Sequence, residues 1–280
     1  MIDLAPTSGL PLTLDEDDPK LAVRLPGDLQ PGQLTARTLA ELREALADPQ
    51  ADGPDPAYFM YNGVAVFSAT DGRTEYNWRY DLTVLPPGRC GNEYLRTVGH
   101  YHPLIEGKDV AWPEVYEVLY GSALFILQRV DAPGAPPDEM RVEDAVLLWA
   151  EPGEQAMLPP NYGHWTVNVT EAPLVICNWI SADFRSDYAP AVEARGPCCH
   201  VKVAENGPRY ERNPHYGRPP DRLRHARPVD APELGLMAGR PMFAELHRRP
   251  DAWRYLCDPD TAAADLWSAI AITRTDPFPS

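Results

Sequence analysis

Three imidazoles and one carboxylate mark the part of this 280-residue chain that can do chemistry. They are His100 and His102 in Gly99-His100-Tyr101-His102, Glu114 in Pro113-Glu114-Val115-Tyr116, and His164 in Pro160-Asn161-Tyr162-Gly163-His164. Two residues apart on a strand, His100 and His102 leave the same face and can grip one cation. On the next strand Glu114, Tyr116 and Val118 share one face, and Val115, Glu117 and Leu119 share the other. Further on, His164, Thr166 and Asn168 share a face. Strand alternation alone therefore gathers His100, His102, Glu114 and His164 as ligands of one divalent metal ion, with Tyr116, Thr166 and Asn168 around them. Imidazole plus carboxylate with open positions suits Fe2+, Mn2+, Zn2+, Ni2+ or Co2+, and the spacing does not choose among them.

Such a set needs a scaffold of short strands. The predicted strands are Tyr80–Leu85, Glu93–Tyr101, Val115–Leu119, Ala123–Val130, Ala145–Trp149, Gln155–Leu158, Trp165–Val169 and Leu174–Ile180. Before them, residues 58–61 and 64–67 flank Asn62-Gly63 and predict a hairpin with a tight turn. Short strands at regular intervals, with Gly and Pro turns between, argue for a β-sandwich or barrel. Residues 1–34 read as an arm over the surface. Thr38-Leu39-Ala40-Glu41 has the form of a capping box, predicting a helix over about 38–47 that ends before Pro49. After about residue 190 the strand pattern fades, and residues 242–247 and 251–256 predict short helices. The expected division is an N-terminal arm and helix over 1–54, a barrel over 55–195 and a C-terminal extension over 196–280 packed on the barrel.

A net charge of −16 argues against nucleic-acid binding, which needs a clustered excess of Lys and Arg. No apolar run is long enough for a membrane span, and no basic segment followed by an apolar run opens the chain, so no membrane partner or signal peptide is expected. Five cysteines without a CxxC pattern fit a reduced, cytoplasmic setting. Cys198-Cys199-His200 is read as structural, because adjacent cysteines rarely ligate one ion. The arginines between Arg209 and Arg227 read as a solvated or internally paired island in an acidic chain. Gln128 could face the pocket or satisfy a buried backbone group.

The site motifs resemble those of the cupins. His-x-His, then a Glu followed by six residues and Gly121, is similar to the first cupin motif; Gly153, Pro159, His164 and Asn168 are similar to the second. Eleven residues (103–113) separate His102 from Glu114 where three or four are common, no glycine lies six positions before His100, and Asn161 stands where a glycine is usual. The closer resemblance is to the cupin-type glucose-6-phosphate isomerases. It rests on Thr97-Val98-Gly99-His100-Tyr101-His102, Pro113 to Gly121, Leu127-Gln128, Pro159 to Asn168 and Asp187-Tyr188, and covers about residues 58–190.

This resemblance implies a mainly β, double-stranded β-helix (cupin, or jelly-roll) barrel. It also implies one divalent ion per chain on His100, His102, Glu114 and His164, with Fe2+ first and Mn2+, Zn2+, Ni2+ or Co2+ as alternatives. Thr83, Thr97, Gly99 and Tyr188 match positions that line the sugar-phosphate pocket, and Tyr116 sits beside the metal. A histidine that helps bind phosphate in that family aligns with Ser186, and a tyrosine position holds Ile180; Arg185 or Trp179 are candidate substitutes. The implied reaction interconverts glucose 6-phosphate and fructose 6-phosphate, a step of glycolysis and gluconeogenesis. A proton leaves C2 and returns at C1 through a cis-enediolate, with the metal as Lewis acid, Glu114 as proton shuttle and Tyr116 assisting. The rival readings are another sugar or sugar-phosphate isomerase or epimerase, a cupin metal-dependent dioxygenase, and a non-enzymatic sugar-binding cupin. A cytoplasmic homodimer is expected, with the extension capping the barrel mouth or forming a dimer surface.

Overall fold

In the computed structural model, which describes residues 1–279 other than 19, 28 and 263, two β-sheets carry the body of the molecule. The strands are β1 (Gln33–Arg37), β2 (Tyr58–Thr70), β3 (Glu75–Leu85), β4 (Glu114–Tyr120), β5 (Ala123–Val130), β6 (Val142–Ala150), β7 (Gln155–Leu158), β8 (Gly163–Asn168), β9 (Leu174–Ser181), β10 (Arg222–Pro228) and β11 (Ile270–Pro277). One sheet runs β7-β4-β9-β3-β2-β1 and the other β8-β5-β6-β10-β11. Neighbours are antiparallel except β6 and β10, which are parallel. From β4 to β9 the chain changes sheet at β4–β5, β6–β7, β7–β8 and β8–β9, the winding of a jelly-roll barrel. The mainly β expectation therefore holds.

The first crossing turns on Gly121, whose φ is +75° and where a Cβ would stand 2.6 Å from the Pro173 carbonyl oxygen. No other residue fits that turn without moving the backbone. Every residue of β7, β8 and β9 is buried, so these strands are covered on both faces. That is why apolar residues fill most of β7 and β9, whereas β8 alternates His164, Thr166 and Asn168 with Trp165 and Val167. Among the described residues the buried apolar side chains form two clusters. One contains Trp78, Trp179 and Trp253; the other contains Tyr101, Trp165 and Tyr216.

Three expectations are corrected. Asn62-Gly63 is no hairpin turn: β2 runs unbroken through it with a shift of register between Tyr61 and Ala65, and Gly63 takes φ +65°. The bulge is held by Asp81 Oδ1, which accepts the Gly63 N–H at 2.7 Å. The strand expected over 93–101 ends at Tyr94; beyond it only isolated bridges at Arg96, His100 and Tyr101 remain, with Gly99 at φ +78° interrupting them. Strands also continue past residue 190, where Cys199–Ala204 pairs with Gly207–Arg212 and β10 and β11 extend the second sheet. The helix after Thr38 forms over Leu39–Arg43 with both capping-box bonds in place, and turns carry the chain on from there.

Segments after 240 back the first sheet. Trp253 is fully buried and its carbonyl accepts Trp78 Nε1–H at 3.0 Å. Phe243, on the helix Met242–Arg248, stacks on Trp179 with centroids 5.7 Å apart. Burying side chains of this size stabilises by about 2–3 kcal/mol each. Arginines of the 209–227 island are internally paired: Arg209 with Glu211, Arg224 with Asp144, and Arg227 with Glu154 at 3.0 Å.

Candidate metal centre

His100 and His164 face each other across a two-way antiparallel bridge. The His100 N–H donates to the His164 carbonyl at 3.2 Å, and His164 N–H to the His100 carbonyl at 3.0 Å. Thr97 extends the pairing: its N–H donates to Thr166 O at 2.9 Å, and its Oγ1 accepts the Thr166 N–H at 3.0 Å. The turn that follows depends on Gly99, where a Cβ would lie 2.0 Å from Trp165. Tyr101 leaves the opposite side, as alternation requires, and its hydroxyl accepts from Gln128 Nε2 at 2.6 Å. Gln128 also donates to Tyr216 Oη at 2.8 Å and accepts the Cys198 N–H at 2.7 Å, so it satisfies buried groups and does not face the site.

Four donor atoms converge. One atom from each of His100, His102, Glu114 and His164 lies within 4.8 Å of the others, the one such cluster found among the described residues. His100 Nε2 and His102 Nε2 are 3.1 Å apart, and Glu114 Oε2 lies 3.4 Å from His102 Nε2 and 3.2 Å from His164 Nε2. Glu114 Oε2 and His164 Nε2 are buried without a hydrogen-bond partner. Buried polar atoms left this way are costly unless something binds them. His102 Nδ1 lies 2.7 Å from the Trp112 carbonyl, which fixes its proton there and directs the Nε2 lone pair at the cluster. Trp112 belongs to the long 103–113 loop, and its ring stacks on Phe184, which in turn packs on His102 at 4.7 Å. The donor set thus fits a divalent ion.

The electrostatics agree. Burial, with His164 and His102 alongside, pushes His100 well below the usual imidazole range, and burial also lowers His164. Both are neutral donors at physiological pH. Burial opposes ionisation of Glu114, but the His102 and His164 rings beside it outweigh that and hold the carboxyl well below its ordinary value. Burial and the Glu114 carboxylate push the Tyr116 hydroxyl well above its ordinary range, so it stays protonated.

His100, Glu114, His164 and Tyr116 form one wall of a cavity of about 80 Å³, and His102 lies outside that lining. Thr83, Thr97, Gly99, Tyr116 and Tyr188 all line it, as do Thr166 and Ser186. Asn168 does not; its amide ties down the Leu85, Pro86 and Ala172 carbonyls. Arg185 is exposed and outside the lining, and Trp179 is fully buried on the other face of β9, so neither substitute reaches the cavity. Cys198 and Cys199 are buried, free and not part of the cluster. Arg79, Asp81 and Asn178 line the cavity and were missed. Arg79 and Asp81 precede Thr83 at intervals of two, so a strand start one residue earlier would have placed Arg79 on the same face.

The family model of glucose-6-phosphate isomerase (GPI) matches residues 34–218. Among curated relatives, the glucose-6-phosphate isomerase of Thermococcus litoralis is 28% identical over 186 residues, covering 65% of this chain and 86% of that protein. Those of Pyrococcus furiosus (26% over 186 residues, 65% and 86%) and Sinorhizobium medicae (27% over 188 residues, 64% and 79%) are similar. Among solved structures, a mutant of Bacillus subtilis oxalate decarboxylase OxdC matches with a TM-score of 0.29 and 17% identity, over 46% of this chain and 27% of that one. The Drosophila melanogaster CENP-C cupin domain matches with a TM-score of 0.27 and 10% identity, over 42% and 77%. Three imidazoles and a carboxylate inside a jelly-roll barrel, with a family match spanning all four residues, place the chain in the glucose-6-phosphate isomerase family of the cupin type.

Proposed function

We propose that the protein is a metal-dependent aldose–ketose isomerase that interconverts glucose 6-phosphate and fructose 6-phosphate. The observation that carries this reading is the convergence of His100, His102, Glu114 and His164 beside a cavity that Thr83, Thr97, Gly99 and Tyr188 also line. A divalent ion held by these four residues, Fe2+ in the first instance, would supply Lewis acidity toward the two sugar oxygens at C1 and C2. The barrel over 55–195 would form the catalytic unit, with the 1–54 arm and the 196–280 extension buttressing it. The working form would be a cytoplasmic homodimer serving glycolysis and gluconeogenesis.

Chemistry at C2 needs a base that takes the proton and returns it to C1, by way of a cis-enediolate. Glu114 is ionised and buried against the cavity, so it can accept that proton on one face. Tyr116, protonated and directly beside it, can donate a hydrogen bond to the oxygen on which charge develops. Thr83, Thr97, the Gly99 backbone and Tyr188 would orient the sugar chain across the wall.

The test is to incubate the metal-loaded protein with fructose 6-phosphate in deuterated water. Glucose 6-phosphate carrying solvent deuterium at C2 is expected. Absence of product would overturn the activity, and product without deuterium would overturn the proton route.

A further inference from the structure

A hexose phosphate brings a doubly charged ester into a cavity that already holds the Glu114 and Asp81 carboxylates. Such an anion needs a positive partner there. Among the described residues lining the cavity, Arg79 is the one permanent cation. Its side chain is 32% exposed while Asp81 is 8% exposed, so the guanidinium keeps more open surface than the carboxylate that holds it. Asp81 grips one edge: Arg79 Nε is 3.0 and 2.9 Å from the two carboxylate oxygens, and Nη2 is 2.9 Å from Oδ2. Asp81 is itself fixed by the Gly63 N–H at the β2 bulge. A guanidinium has five N–H donors in a rigid fork. The edge held by Asp81 uses two, and the other three have no protein partner among the described residues.

The register sets the reach. Arg79 on β3 is opposite Ile180 on β9, and Ile180 is opposite Glu114 on β4. Arg79 and Glu114 therefore lie on one line across the sheet, two strand spacings or about 10 Å apart at the backbone. Both side chains point into the same cavity. That separation matches an open hexose chain with its reacting end at Glu114 and its terminal ester at Arg79.

We propose that Arg79, oriented by Asp81, is the anion anchor that receives the phosphoryl group and sets selectivity for phosphorylated over free sugar. This inference rests on the phosphosugar isomerase reading and adds a specificity-determining residue to it. A pair that serves only to hold the β2 bulge would affect stability and leave the affinity for phosphate alone.

The experiment compares metal-loaded wild type with Arg79→Lys and with the double variant Arg79→Met/Asp81→Asn, which leaves no unpaired buried carboxylate. Metal content and near-ultraviolet circular dichroism establish that each variant is folded. The KM for fructose 6-phosphate should rise about 10²-fold in the double variant and about tenfold in Arg79→Lys, with a smaller change in kcat. Inorganic phosphate, titrated calorimetrically, should lose affinity in the same order. If the double variant fails to fold, Arg79→Lys alone decides. A wild-type KM and phosphate affinity in a folded variant would overturn the anchor while leaving the isomerase reading intact. Phosphate binding that depends on Arg79, in a wild type that isomerises no phosphosugar, would overturn the isomerase reading and keep the anchor.

Discussion

Glu114 carries two duties that pull against each other. As a ligand it must stay ionised against the cation, and a carboxylate bound to a cation is a poor base. With an ion bound, Glu114 would have to loosen from it to act as the base, and His100, His102 and His164 would be the residues left to hold the ion. Glu114→Gln should lower kcat by about 10²–10⁴-fold, while atomic emission still finds metal held by the imidazoles. Unchanged kcat would remove Glu114 from the proton route. Gly99 is fixed by its backbone conformation and by Trp165; Gly99→Ala should destabilise by about 2–4 kcal/mol in thermal unfolding, and an unshifted midpoint would contradict this. At this scale the ligands were legible because a period of two is all that positions them. Arg79 and Trp112 were not. Arg79 lies one residue outside the strand read from its apolar pattern, and Trp112 acts through its carbonyl, which leaves no trace in side-chain type.

At the scale of elements, the face of β4 opposite the site holds a second buried carboxylate. Glu117 accepts from Gln155 Nε2 at 3.0 Å and from the Met242 N–H at 3.1 Å, where the 242–248 helix docks. Burial pushes its carboxyl up to about 8 against those donors. A group whose folded pKa is raised binds protons on folding, so its contribution is fully present below about pH 4 and lost as pH rises through about 8. Wild-type stability should fall between pH 5 and 9 relative to Glu117→Gln, measured by urea unfolding; a pH-independent difference would contradict the shift. The 103–113 loop is clasped to the extension by Lys108, which lies 2.5 Å from Asp258 and 2.7 Å from Asp260. A long insertion between two ligands could be read from the sequence, but not its anchor 150 residues away. Asn62-Gly63 misled for a related reason: the same dipeptide serves a hairpin or a bulge, and Asp81 on the neighbouring strand selects the bulge.

For the whole molecule, the family match ends at residue 218, yet the sheet does not. β10 pairs with β6, β11 covers β10, and Trp253 closes the core over Trp78. The barrel winding was legible from short apolar strands; these late strands were not, because their residues are largely polar and half exposed. Truncation after residue 218 should therefore yield protein without a cooperative thermal transition, and a folded, cooperative product would show the extension to be dispensable. The central claim is that the four-residue cluster holds the metal on which isomerisation depends. Its most direct test is a coupled assay converting fructose 6-phosphate to glucose 6-phosphate after chelation and re-addition of each divalent metal. Activity should vanish on chelation and return at one ion per chain; full activity in metal-free protein, or none with any metal, would contradict the account.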